Sequence, residues 1–272
     1  MLSGWYFLSI SKIYIYSLVI ILSKFISLAL ILLIVHSQDD FHYIYILASA
    51  PMFIIALVFF KLNKKLNFKF LNIKRLMPSF KRGFSVYIAG MSPNLYNSLP
   101  VIFLGLLATD VAFSLFGIAS RIVNLVVTAQ IVLNKALYPL IIRARNTFYE
   151  KFNFIVCLIL PLIAFILLYF FGEKVLNFFL DVEAGLVIRY SLILVISTLF
   201  TGIINALTYS KILPNKLDKK YRVVVFKASF ILSLIAFPVV YFFNVLGMLY
   251  FIVFARATIA FSCCAVVYSS KD

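Results

Sequence analysis

Acidic side chains are scarce in this sequence. Nine Asp and Glu residues stand against 25 Lys and Arg in 272 residues, and charged residues together make up only 12%. Soluble domains average about 25% charged residues, so there is too little polar surface to cover a water-soluble globule. Cysteine is almost missing too. Its three copies, Cys157, Cys263 and Cys264, fall inside apolar runs. That excludes a disulfide framework and a CxxC metal site and leaves them as small buried hydrophobes. The only two histidines, His36 and His42, flank the acidic pair Asp39 and Asp40 and read as solvated loop residues. No metal site and no cofactor is expected. The sequence also lacks a P-loop, a Gly-rich dinucleotide turn and a paired-carboxylate motif. No catalytic residue is assigned, and the chain does not read as an enzyme.

What is abundant is hydrocarbon: 64% of residues are hydrophobic and the mean hydropathy is +1.09. Continuous apolar runs of about 20 residues recur, enough to cross a hydrocarbon core of ~30 Å as helix. Backbone groups in lipid must satisfy one another, and the runs lack the alternating polarity of barrel strands. The expected fold is therefore all-α and polytopic, with about eight transmembrane helices at 13–35, 43–60, 84–108, 112–141, 153–171, 186–210, 223–243 and 248–268. The first run is as long as a full span and has no small-residue cleavage site, so it does not read as a removable signal.

The net charge of +16 lies mainly in short loops between these runs, which argues against nucleic acid as a partner. Basic and acidic loops alternate. Residues 61–83 carry eight Lys and Arg and no acid, and 211–222 and 143–151 are also basic. The intervening loops hold Asp39, Asp40, Asp110, Glu173, Asp181 and Glu183. Because Lys and Arg are retained on the cytoplasmic side, both termini are expected in the cytoplasm. The 61–83 segment reads as a linker between two structural lobes, and equally as an amphipathic stretch lying on anionic headgroups.

Ionisable groups within spans are expensive and mark cavities or pathways. Here they are all cations: Lys24 in the first span, Arg121 and Lys135 in the fourth, Arg256 in the eighth. In the fourth span Ser114, Gly117, Arg121, Asn124, Thr128 and Lys135 share one helical face, while the opposite face reads as Val, Leu and Ile. The third span repeats the pattern with Gly83, Tyr87, Gly90, Asn94 and Asn97. Ser191, Thr198, Thr201, Asn205 and Thr208 of the sixth read as a packing seam, since small residues let membrane helices approach closely. Packing does not require an Arg and a Lys without acidic partners. Such a pair implies a water-filled cavity, a bound anion or both, and a guanidinium fits phosphate oxygens through its planar fork.

The segment Leu115-Phe116-Gly117-Ile118-Ala119-Ser120-Arg121-Ile122 resembles the glycine-small-small-basic signature in the eighth helix of O-antigen flippases (Wzx-type), of the multidrug/oligosaccharidyl-lipid/polysaccharide exporter superfamily. Ala136-Leu137-Tyr138-Pro139 is similar to the proline-bearing end of that helix. Trp5-Tyr6-Phe7 before Lys12 resembles the aromatic entry to the fifth, although Leu8, Ser9 and Ser11 replace the usual polar and glycine positions. The resemblance implies a twelve-helix, two-lobed fold. This chain would supply the last two helices of the first lobe (1–60), the basic linker (61–83) and a complete six-helix second lobe (84–272), without the first four helices. It further implies flipping of an undecaprenyl-pyrophosphate-linked oligosaccharide, an O-antigen or capsule repeat unit, to the periplasmic leaflet of a bacterial inner membrane. On that reading Arg121 and Lys135 meet the anion, Asn94, Asn97 and Asn124 line the path, and Lys24 and Arg256 assist. The partners would be the lipid-linked oligosaccharide, membrane lipids and other polysaccharide-assembly membrane proteins. Three rival readings are an inactive truncated remnant, a cation-coupled exporter, disfavoured by the lack of intramembrane carboxylates, and a polysaccharide polymerase or ligase, disfavoured by the lack of a large periplasmic loop.

Overall fold

An unbroken apolar run can satisfy its backbone only by coiling on itself, and in the computed structural model the described residues form helices and no strand. Those residues are 13–36, 40–62, 77, 95–144, 147–179, 183–215 and 217–269. The helices are α1 (Ile13–Ile34), α2 (Phe41–Leu62), α3 (Leu95–Leu107), α4 (Asp110–Ala144), α5 (Thr147–Phe179), α6 (Ala184–Leu207) and α7 (Asp218–Tyr268). One π-helical turn, Thr208–Ile212, continues α6. Among the described residues four helical stretches are long and apolar enough to cross a bilayer: Asp110–Arg143, Thr147–Phe178, Ala184–Ile212 and Lys219–Tyr268. The chain divides between Met77 and Pro78 into two units. Most of the 61–83 linker lies outside the described residues, as do the aromatic motif at Trp5-Tyr6-Phe7 and Gly83, Tyr87, Gly90 and Asn94.

In the first unit α1 packs against α2. The seam is made by serine: Ser23 and Ser27 are buried, and the Ser27 hydroxyl donates to Ser23 O at 2.9 Å and Ala48 O at 3.3 Å. Serines four residues apart on one helix face admit the close approach a larger side chain would block. Lys24, one residue off that seam, is exposed.

In the second unit α6 is the centre. It packs against α4, α5 and α7, and half of its apolar window is buried, against 11% for α5. Gly202 permits this. A Cβ at that position would stand 2.4 Å from Cys157 O of α5 and 2.8 Å from Gln130 Nε2 of α4. The 51-residue α7 is ~76 Å long by rise alone, far more than a bilayer needs, and it breaks at Asn244. There φ is 50°, the left-handed region that asparagine tolerates better than most residues. The arms on either side fold together. Leu232 and Ala236 share a core with Ala255 and Ile259.

Cys157 and Cys263 are buried as expected, whereas Cys264 is exposed. The one-residue step along the helix turns it from the packed side outward. Outward-facing side chains are mostly large and apolar, Phe178, Phe242 and Phe261 among them. A surface of that kind suits hydrocarbon, not water.

Candidate functional site

The far side of α4 is not the aliphatic wall expected from its sequence. At 100° per residue, positions 130 and 134 stand about half a turn from Arg121, and they carry Gln130 and Asn134, both fully buried. Their amides build a ladder across three helices. Gln130 Nε2 donates to Cys157 O (2.8 Å) and Thr198 O (3.2 Å), and Asn134 Nδ2 donates to Gln130 O (2.7 Å) and Cys157 Sγ (3.0 Å). Asn153 Nδ2 of α5 donates to Asn134 Oδ1 (2.9 Å) and to Ser210 Oγ (3.1 Å) in the π-turn. Gln130 and Asn134 are uncharged, and so neither stands out in the sequence beside Arg121 and Lys135. Four-residue spacing of Gln130 and Asn134 within an apolar run was the available signal.

The Arg121 side of α4 is different. Arg121, Asn124, Thr128 and Lys135 are all exposed, and neither cation has a hydrogen-bond or ion-pair partner among the described residues. The Thr128 hydroxyl turns back to Asn124 O at 2.7 Å. A helical rise of ~1.5 Å per residue separates Arg121 from Lys135 by about 21 Å. Ser191, Thr198 and Thr201 of α6 bond backbone carbonyls of their own helix, which leaves that stripe free to pack.

Beside the exposed face, a cavity of 530 Å³ opens between α3, α4, α6 and α7. Its polar lining is Asn97, Ser98, Ser120, Asn124 and Arg256, and its apolar floor includes Phe116, Leu194 and Ile252. Asn97, Asn124 and Arg256 therefore come together from three helices. Arg121 and Lys135 do not line this cavity, Lys24 belongs to the other unit, and Asn94 lies outside the described residues. The guanidinium of Arg256 is held in place: Nη1 donates to Ser197 Oγ at 2.8 Å, and Ser197 in turn donates to Leu194 O. One Arg donor is thus spent on positioning, and the remaining N–H groups have no hydrogen-bond partner among the described residues. Among the described residues no acidic side chain lines the cavity. No family model, curated protein or solved structure matches the chain.

The arrangement offers fixed hydrogen-bond donors of positive charge, neutral amides and hydroxyls, and an apolar floor. Such a set holds an anionic, partly polar molecule by charge-assisted hydrogen bonds. Among the described residues no group of three His, Cys, Asp or Glu could hold a metal ion.

Proposed function

We propose that the chain forms a membrane-embedded path for a lipid-linked anion, and that its substrate is an undecaprenyl-pyrophosphate-linked oligosaccharide moved between leaflets. The observation that carries this reading is the cavity in which Arg256 meets Asn97 and Asn124 with no acid alongside among the described residues. A pyrophosphate would engage the guanidinium, and the amides and hydroxyls would meet sugar. The bare cations of α4 add support. A charged group at mid-bilayer depth facing hydrocarbon costs about 2.5–3.5 kcal/mol on insertion scales, so the Arg121 and Lys135 face needs water, anion or protein against it. Taking the apolar run 84–108 of the sequence as the third span, beside α1, α2, α4, α5, α6 and the two arms of α7, gives eight spans. Alternating loop charge argues for cytoplasmic termini, and the resemblance implies the inner membrane of a bacterium.

The resemblance to Wzx-type flippases at residues 115–122 and 136–139 points to the same class of cargo. Movement would follow from rocking of lobes about the cationic site. The test is leaflet exchange of a fluorescent lipid-linked oligosaccharide in vesicles containing the chain. The expected result is exchange above empty vesicles, lowered tenfold or more by Arg256→Ala and by Arg121→Ala. A wild-type chain that moves none, or variants that move it at the normal rate, overturns the reading.

A further inference from the structure

A second cavity, of 440 Å³, lies between the start of α5 and the end of α6, away from the Arg256 site. Its two walls change character in the same direction. Along α5 the lining runs Thr147, Glu150, Lys151, Phe154, Ile155, spacings that keep one helical face and pass from polar to apolar within ~12 Å. On the other wall Lys211 stands at the charged end, and Leu207, one turn deeper, at the apolar end. Glu150 is already used, because its carboxylate pairs with Lys211. Lys151 is exposed and has no partner among the described residues, so the charged end presents unneutralised positive charge.

A charged mouth at one end and a hydrocarbon-lined floor at the other match the two halves of a phospholipid. We infer that this groove holds one anionic glycerophospholipid of the surrounding bilayer. Its phosphate accepts hydrogen bonds from the Lys151 ammonium and the Thr147 hydroxyl, and one acyl chain lies over Phe154, Ile155 and Leu207. Charge complementarity selects the headgroup: Lys151 favours a net-negative lipid over a zwitterion, whose own cation it would repel. The apolar floor gives the site depth that a surface lysine alone would lack. The inference needs only that the apolar helices lie in a bilayer, and it stands apart from what the chain transports.

Native mass spectrometry of the whole chain, released from micelles holding equal phosphatidylglycerol and phosphatidylcholine, tests it. Phosphatidylglycerol should be retained at least fivefold over phosphatidylcholine. Lys151→Gln should remove most of that preference, and Leu207→Phe, which narrows the floor, should lower retention of both lipids. Lys174→Gln, at the opposite end of α5, should change neither. Equal retention of the two lipids overturns the inference, as does an unaffected Lys151→Gln variant or an equal loss with Lys174→Gln. Displacement of phosphatidylglycerol by polyprenyl pyrophosphate at matched concentration overturns its assignment to a bilayer lipid.

Discussion

The two sides of α4 are both polar and behave in opposite ways. Gln130 and Asn134 sit among neighbours that accept their amide hydrogens, and they tie α4 to α5 and α6. Arg121, about half a turn away, and Lys135 near its face are exposed and make no hydrogen bond or ion pair with the described residues. Polarity by itself therefore does not say what a membrane residue does. An amide whose N–H groups reach acceptors on other helices holds those helices together, even where, as at Gln130 Oε1, its oxygen has no partner among the described residues. An exposed cation with no such bond is open to something from outside the fold. Stability should respond to the first side and transport to the second.

Gly202 is the place where that contrast breaks most readily. Any Cβ there meets the Cys157 carbonyl and the Gln130 amide at once, so α5 must move away and the upper bonds of the ladder stretch. Overpacking of this kind costs about 1–3 kcal/mol, against a helix-propensity gain for alanine of at most ~1 kcal/mol. Gly202→Ala is expected to give the largest loss of thermal stability in detergent of the substitutions considered for α4–α6, and Gly202→Leu to abolish folding. A Gly202→Ala protein as stable as wild type would mean that α5 and α6 are farther apart than the ladder requires.

A smaller effect belongs to Asn153, which donates to both Asn134 and Ser210. Interhelical hydrogen bonds in membranes average about 0.6 kcal/mol each. Asn153→Leu should accordingly lower stability by about 1 kcal/mol, read as a modest fall in melting temperature, with transport retained at the temperatures where the protein is folded. Combining it with Asn134→Leu should cost less than the sum of the two single changes, because residues in one network are not independent.

Helical character was legible in the sequence, since runs of about 20 apolar residues leave the backbone no other solution. The break at 244 was visible as the gap between two apolar runs, though only the structure shows Asn244 in the left-handed region. The ladder was not seen. Its partners are separated by 19 to 68 residues, and spacing along a chain does not say which helices will touch. Gly202 reads as an ordinary small residue until Cys157 is placed against it. The meeting of Asn97, Asn124 and Arg256 was hidden for the same reason: each was marked as polar in an apolar run, but which spans would form one cavity depends on packing. Charge was easy to notice and drew attention to Arg121 and Lys135. Amides of greater structural weight stood unnoticed on the same helix.

The bare side of α4 should give the smallest change in stability and the sharpest distinction from the ladder. Arg121→Leu and Lys135→Leu remove no bond to any described residue. Each substitution also replaces a residue whose helix propensity leucine roughly matches. The melting temperature in detergent should therefore stay the same or rise slightly. In a bilayer the substitution removes a charge from an apolar depth, which favours the variant further if that face meets lipid. Leaflet exchange of the lipid-linked oligosaccharide should nevertheless fall tenfold or more for Arg121→Leu, so stability and activity move apart. If melting temperature instead drops by as much as it does for Asn153→Leu, Arg121 has a structural partner, and its face of α4 belongs with the ladder as a packing surface.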